Sequence, residues 1–200
     1  WKLGPALAAG NTVIVKPPEW APLTSSLLAD CAHAAGLPPG VFNIVQGSGA
    51  NTGAKLVSDP RLARVSFTGS VPTAKWIAQA AGANLVPCSL ELGGKSPFIV
   101  LEDADIDNAA ATGALMYRNA GQVCLAGTRF LVHTKVRDAF VAAMRGYVEK
   151  LNIGDPRDEA VEIGPIIHPR QVERVKGFVE RAIADGWQQL NELGAVDANR

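Results

Sequence analysis

The 200-residue chain has little of several features that identify common classes of protein. Its three cysteines, Cys31, Cys88 and Cys124, are odd in number and lack CxxC spacing, which argues against a disulfide framework or a zinc site and favours a reducing compartment. The three histidines have no metal-ligand spacing, so we expect no metal. Basic and acidic residues are balanced at 19 each, without a long block of one sign, so we expect no nucleic acid as partner.

The chain also lacks a signal-peptide pattern and an apolar run long enough to span a bilayer, so we expect no membrane and a cytoplasmic location. It begins at Trp1 rather than at a methionine, and we expect it to be an internal piece of a longer protein. What is present is an ordinary globular composition, 48% hydrophobic and 19% charged, which is sufficient for a sizeable core.

Short β-branched runs alternate with helical patterns, which predicts an α/β fold with a mainly parallel sheet and helices on its faces. Four strands are predicted before the double glycine Gly93-Gly94, at 12–16, 41–46, 64–68 and 85–92. Two more strands follow it, at 98–101 and 130–133, so the double glycine is the best candidate for a domain boundary. Three helices are each expected to bury one apolar face, formed by Leu27, Cys31 and Ala35, by Val136, Phe140, Met144 and Val148, and by Val172, Val175 and Val179.

Cys124 lies on a predicted turn in the segment Gly121-Gln122-Val123-Cys124-Leu125-Ala126-Gly127. A free cysteine is most often a small buried hydrophobe, but the neighbours of such a cysteine would belong to a periodic apolar face, and here they do not. Small residues on both sides leave room for a substrate at the sulfur, which is a nucleophile in its thiolate form. Both interpretations of Cys124 stay open at this point.

Glu91 lies at the end of the apolar run 85–90, which is expected to carry its carboxylate into the interior. A desolvated carboxylate beside Gly93-Gly94 suits a general base. The alternative is an ion pair with Lys95 at a strand end.

Two further segments carry polar groups at predicted strand ends. Gly69-Ser70 stands at a strand-to-helix junction, where glycine allows a close backbone approach and the helix start attracts phosphate, although the GxGxxG fingerprint is absent. Lys16 and Glu19 follow the first strand, where ligands collect in doubly wound sheets, and they could bind ribose hydroxyls or a phosphate. The alternative for this second pair is two solvated charges on a loop.

Together these motifs resemble the aldehyde dehydrogenase superfamily from Trp1 to about Gly186. The similar segments are 1–11 with Val15-Lys16-Pro17, Phe67-Thr68-Gly69-Ser70, Leu90-Glu91-Leu92-Gly93-Gly94-Lys95, Gly121-Gln122-Val123-Cys124, Gly154-Asp155-Pro156 and Gly164-Pro165-Ile166-Ile167. The resemblance implies part of a Rossmann-like NAD-binding domain at 1–93, with helices on both faces of its parallel sheet, and part of an α/β catalytic domain at 94–186. The tail at 187–200 no longer resembles the family.

The resemblance implies that the protein oxidises an aldehyde, including semialdehydes, to a carboxylic acid with NAD, through a cysteine thiohemiacetal and a thioester. The carboxylate of Glu19 would repel a ribose 2′-phosphate, so NAD is expected over NADP. The full-length parent is expected to be a homo-oligomer. The implied site residues are Cys124 as nucleophile, Glu91 as general base, Lys16 and Glu19 at the adenosine ribose, and Gly69 and Ser70 against the cofactor.

The chain departs from the family pattern in three ways. Ala74 stands where the family usually has a second glycine, and an asparagine that helps hold the oxyanion and a glutamate that binds the nicotinamide ribose fall outside the chain. One alternative is therefore a truncated inactive fragment that at most binds nucleotide. Another is a relative that delivers the thioester to coenzyme A, against which Glu91 argues. The segment Tyr117-Arg118-Asn119 is similar to members acting on hydroxymuconic semialdehydes, so that Arg118 would meet a substrate carboxylate or else lie on the surface.

Overall fold

The computed structural model describes residues 1–190, and the chain divides into two compact units. Unit 1 is Trp1–Leu92 and unit 2 is Gly93–Arg200, so the division falls at the double glycine that the sequence pattern favours. The assignment of these units as cofactor and catalytic domains stays a prediction. Residues 191–200 of the predicted tail lie outside the described residues.

Unit 1 holds four strands in two parallel pairs, which agrees with the predicted α/β class. Strand β1 (Val13–Val15) pairs with β2 (Phe42–Ile44), and β3 (Val65–Gly69) pairs with β4 (Cys88–Leu92). Each predicted strand is present, with ends displaced by at most three residues. The helices of unit 1 are α1 (Leu3–Ala8), α2 (Leu23–Ala34), α3 (Ala54–Val57) after a π-helical turn at Gly49–Gly53, and α4 (Val71–Ala83).

Helix α4 supplies most of the core of unit 1. Ala74, Ile77 and Ala81 recur at helical spacing and are buried, and Ile77 and Ala81 pack with Val65 of β3. The helix begins after Ser70 with proline in its first turn, where a missing N–H costs nothing. Ala74, which stands where the resemblance implies a glycine, is buried within the packed face of α4.

Helix α2 buries a different face from the one that its apolar spacing predicts. Leu27 is 63% exposed, Cys31 is exposed, and the helix ends before Ala35, so the predicted inward face is wrong. The half-buried residues of α2 include the small Ser25, Ala29 and Ala32 at helical spacing. Small side chains let a helix axis come close to a strand, and α2 packs against β2.

Up to residue 190, unit 2 is built on one parallel pair of strands, β5 (Ser96–Val100) and β6 (Gly127–Val132). Its core joins Val100, Ala110 and Phe140, and the ring of Phe130 lies 5.3 Å from that of Phe98 and 5.5 Å from that of Phe140. The predicted stripe of Val136, Phe140, Met144 and Val148 is confirmed for the first three residues, which contact this core. The helices of unit 2 are α5 (Ile106–Ala114), α6 (Arg137–Val148) and α7 (Pro169–Ala184), with 3₁₀ segments at Leu115–Gly121 and Thr134–Val136.

Helix α7 leaves its apolar face uncovered over the described residues. Val175 is 50% exposed, Val179 is exposed, and only Val172 of the predicted face is half-buried, so the prediction that all three face inward is wrong. Between residues 1 and 190, no helix has the length and apolar character needed to cross a bilayer.

Candidate active site

The register of β3 and β4 places Glu91 beside the glycine turn that was predicted to meet a cofactor. The two strands are parallel, and Thr68 is the partner of Glu91 while Gly69 is the partner of Leu92. Both strands end here, so Glu91 and the turn Gly69-Ser70 lie at the same carboxyl edge of the strand pair. This edge is where ligands collect in parallel α/β sheets.

The carboxylate of Glu91 is exposed in the described chain, so the prediction that it lies in the interior is wrong. The apolar run before Glu91 does not enter the core as a unit. Leu85 is 92% exposed and adopts a positive φ of 56°, and β4 begins only at Cys88. Burial does not alternate along β4, and the neighbours Leu90 and Glu91 are both exposed.

The turn after β3 needs a glycine for a local steric reason. A Cβ on Gly69 would lie 2.4 Å from Cζ of Phe67, which is closer than real side chains approach. Ser70 then takes the extended N-cap conformation, but its hydroxyl lies 3.0 Å from Oγ1 of Thr73 and does not cap the helix. The first N–H groups of the 13-residue helix α4 are therefore free of a side-chain cap from Ser70, which suits an anionic ligand.

Lys16 and Glu19 are brought together after β1, against the turn that follows β2. The Lys16 ammonium lies 4.0 Å from the Glu19 carboxylate and donates to the carbonyl oxygen of Gly47 at 3.0 Å. The backbone N–H of Gly49 donates to Glu19 Oε1 at 2.5 Å. This hydrogen bond is the main cause that holds the pKa of Glu19 below its usual 4.5, and the charge of Lys16 acts in the same direction.

These two residues are therefore fixed by their neighbours, unlike the solvated pair that the sequence leaves as an alternative. Glycine on the facing turn leaves room at both side chains, since a Cβ on Gly53 would lie 3.5 Å from Lys16 Cδ and one on Gly49 would lie 3.8 Å from Glu19 Oε1. The other predicted cofactor residues, Gly69 and Ser70, belong to a separate junction between β3 and α4.

Cys124 is exposed on the turn before β6, which argues against the interpretation of a buried hydrophobe. The segment before β5 runs beside this turn. A Cβ on Gly94 would lie 3.5 Å from the carbonyl oxygen of Cys124, and the guanidinium of Arg129 donates to the carbonyl oxygen of Lys95 at 2.6 Å. Ser96 at the start of β5 is the partner of Gly127 at the start of β6.

Gln122 makes contacts that the sequence analysis does not predict. Its side-chain amide donates to the carbonyl oxygen of Asn119 at 2.9 Å, and its Oε1 accepts from the backbone N–H of Ile167 at 3.0 Å. Arg129 is a second residue whose contact the sequence analysis does not predict. Both residues lie in or beside the predicted nucleophile motif. Their partners, Ile167 for Gln122 and Lys95 for Arg129, are 45 and 34 positions away, and local sequence patterns do not reveal such distant contacts.

Arg118 lines a cavity of about 500 Å³ in unit 2. The cavity wall combines apolar groups of α5 with the polar side chains of Tyr147, Lys150 and Glu162. The Lys150 ammonium lies 5.9 Å from the centre of the Tyr147 ring, and Arg118 adds a second cation to the lining. A contact between Arg118 and a substrate carboxylate stays a prediction.

Comparisons with known proteins identify the family of this chain. A sequence profile of the aldehyde dehydrogenase family matches residues 1–199, a range that extends over most of the predicted tail. Betaine aldehyde dehydrogenase 2 of Rhizobium meliloti is 47% identical over 192 residues, which are 95% of this chain and 40% of that protein.

Solved structures of aldehyde dehydrogenases also superpose on the chain. Aldehyde dehydrogenase C of Pseudomonas syringae, solved with NAD+ and octanal, gives a TM-score of 0.90 at 38% identity, over 98% of this chain and 41% of that one. An indole-3-acetaldehyde dehydrogenase solved with NAD+ gives a TM-score of 0.89 at 39% identity, over 93% of this chain and 38% of that one. The chain thus spans about two fifths of the length of the relatives that it matches. From these matches and from the site described above, the chain belongs to the aldehyde dehydrogenase family.

Proposed function

We propose that the protein containing this chain oxidises an aldehyde to a carboxylic acid with NAD, with Cys124 as nucleophile and Glu91 as general base. The observation that supports this most is the course of the short segment Leu90–Lys95. At one end Glu91 is the partner of Thr68, next to the cofactor turn, and at the other end Gly94 lies against the carbonyl of Cys124.

Chain continuity strengthens this argument. Glu91 stands three positions before Gly94, and three residues span at most about 11 Å. In sequence, the proposed base thus stands three positions before the residue whose Cβ would meet the carbonyl of the proposed nucleophile. A general base needs to reach the reacting atoms directly or through one water.

The residues of unit 1 fit a dinucleotide. Lys16 and Glu19 offer a donor and an ionised acceptor to ribose hydroxyls beside a glycine-lined turn, and the start of α4 offers N–H groups to a phosphate. Gly69 lets the ring of Phe67 pack against the turn that precedes this helix start. When bound, NAD supplies the acceptor for the hydride.

The chain's own groups then carry the covalent chemistry. The Cys124 thiolate adds to the aldehyde carbon, forming a C–S bond, and the backbone N–H of Cys124 donates to the resulting oxyanion. Loss of hydride from that carbon leaves a thioester on the sulfur. Glu91 takes a proton from a water that attacks the thioester, the C–S bond breaks, and the acid and the thiol are released.

Two alternatives to this proposal can be distinguished from it by experiment. A relative that transfers the acyl group to coenzyme A would not need Glu91, so a Glu91→Gln variant that keeps acyl transfer but loses acid production would distinguish them. The other alternative is that the 200-residue chain on its own binds nucleotide without turnover, which an assay of NAD binding and aldehyde oxidation by that chain tests. We expect the full-length parent to be a cytoplasmic homo-oligomer, and a semialdehyde is one candidate substrate.

The deciding experiment compares Cys124→Ser with Cys31→Ser in the full-length parent. Both cysteines are free and exposed, which makes Cys31 a matched control. We expect Cys124→Ser to reduce NAD-dependent oxidation of an aldehyde by more than about a thousandfold, because the nucleophile acts as a unit with its partners. Cys31→Ser is expected to keep full activity. Turnover that survives Cys124→Ser would refute the proposed mechanism.

A further inference from the structure

The backbone before Cys124 is held in an unusual conformation. Asn119 and Ala120 have φ values of 53° and 54°, and Gly121 follows with 73°, so three successive residues are left-handed. Only glycine adopts this region without strain, and asparagine tolerates it better than alanine does. Such a conformation persists only where the surroundings determine it.

Both the backbone and the side chain of Gln122 contact this stretch, and the backbone N–H of Gln122 donates to the carbonyl of Asn119 at 3.1 Å. Its Nε2 donates to the carbonyl of Asn119, whose side chain in turn donates to the carbonyl of Gln122 at 3.2 Å. Its Oε1 accepts from the N–H of Ile167. One amide thus satisfies a carbonyl on one side and an N–H on the other, which only a group with both a donor and an acceptor can do.

The segment that receives Gln122 is itself fixed. Ile163 is buried and forms a parallel bridge with Ile153, and the N–H of Gly154 donates to the carbonyl of Ile163 at 3.1 Å. A Cβ on Gly164 would lie 3.4 Å from Cβ of Pro156, so the segments 154–156 and 164–167 pack against each other. The segments 154–156 and 164–167, which the proposed mechanism does not use, therefore support the loop that carries the Cys124 thiol.

We propose that Gln122 is a positioning residue, which holds the left-handed loop to the 163–167 segment and so sets the position of Cys124. This inference rests on the proposed function, because it assigns a consequence for turnover to the position of that sulfur. Misplacing a reacting group by about 1 Å can cost 10²-fold in rate. Removing both side-chain hydrogen bonds is therefore expected to act on the chemical step rather than on cofactor binding.

The test uses three variants of the full-length parent. Gln122→Met keeps the length of the side chain and removes both hydrogen bonds, while Gln122→Glu keeps an acceptor for the Ile167 N–H and loses the donor to Asn119. Gln171→Met, at an exposed position on α7, is the matched control. We expect kcat to fall by about 10- to 100-fold in the Met variant and by less in the Glu variant, with KM for NAD within about twofold of the parent.

The outcomes separate this inference from the proposed function. If Cys124→Ser abolishes turnover and a folded Gln122→Met keeps kcat within about twofold, the positioning role is refuted while the nucleophile stands. If Cys124→Ser keeps turnover, the proposed function fails first. Should the Met variant not fold, the Glu variant decides: a lower kcat at an unchanged thermal midpoint supports positioning, and a lowered midpoint with unchanged kcat refutes it.

Discussion

The carboxylate of Glu19 illustrates how single residues are prepared for a ligand in unit 1. It accepts a hydrogen bond from Gly49 and lies near Lys16, so the charge is held in place before any ligand binds. A fixed negative charge beside a ribose 2′-hydroxyl would repel a phosphate at the same position. This repulsion is the physical basis for expecting NAD rather than NADP.

We therefore predict that Glu19→Gln in the full-length parent narrows the preference for NAD over NADP by about tenfold or more. The expected change corresponds to about 1.4 kcal/mol of lost repulsion. The measurement is the ratio of kcat/KM values for the two cofactors, with the exposed Asp30→Asn as control. A parent that prefers NADP, or a ratio unchanged in the variant, would contradict the assignment of Glu19.

The lowered pKa of Glu19 also predicts how stability depends on pH. Because the folded-state pKa lies below the usual 4.5, the stabilising contribution is present above about pH 4.5 and is lost as the pH falls through the lower folded value. The difference in unfolding free energy between the wild type and Glu19→Gln should thus be largest near neutral pH. Urea unfolding at several pH values measures it, and a difference that grows on acidification would refute the prediction. The effect is expected to be small, since the side chain is about half exposed.

At the scale of helices and strands, local patterns predict the elements well and their packing partners less well. Short apolar runs predict the six strands of the described residues, although β4 has no β-branched residue, and the stripe on α6 predicts the contacts of Phe140 and Met144. The prediction that the apolar faces of α2 and α7 are buried is wrong, because periodicity identifies an apolar face without identifying what covers it. Small residues such as Ala29 pack α2 instead, and their modest hydrophobicity gives a weak signal.

The same limit applies to the candidate site. The motifs of Glu91 and Cys124 are visible in the sequence, and Gly121 suggests a left-handed turn. The positive φ of Asn119 and Ala120 is not suggested by their residue types, because it depends on the contact between Gln122 and Ile167. Long-range hydrogen bonds of this kind require the folded chain.

The packing of α6 and α7 gives a stability prediction. Phe140 is 3% exposed, and Phe140→Ala should lower the free energy of unfolding of the 200-residue chain by about 3–5 kcal/mol through the cavity that it leaves. Val175→Ala on the uncovered face of α7 should change it by no more than about 0.5 kcal/mol. Urea unfolding followed by circular dichroism compares the two. Equal losses would mean that Val175 is buried in solution.

For the whole molecule, the division into two units separates the proposed cofactor contacts from the proposed nucleophile. Lys16, Glu19, Gly69 and Ser70 belong to unit 1 together with the proposed base Glu91, and Cys124 and Gln122 belong to unit 2. If the first unit alone contacts the adenosine end of the cofactor, ligand binding should stabilise it in particular. A ligand at a hundred times its Kd adds about 2.7 kcal/mol to the stability of the state that binds it.

We predict that NAD slows hydrogen exchange of the 200-residue chain mainly within residues 13–19, 47–53 and 69–74. Lys16→Met should weaken this protection, because it removes the ammonium beside Glu19, while Lys55→Met on α3 serves as the exposed control. Hydrogen-exchange mass spectrometry with and without NAD is the measurement. Protection confined to residues after Gly93 would contradict the assignment of unit 1.

The parallel pairing of β5 and β6 has a consequence for how sequences of this kind can diverge. Two parallel neighbours begin at the same edge of their sheet, so Gly94 and Cys124 stay adjacent however long the crossover through α5 is. Doubling the length of a flexible loop in that crossover costs only about 0.6 kcal/mol in closure entropy. Insertions near residues 101–105 should therefore be tolerated, and relatives can differ there in length while the chemistry at the other edge is conserved.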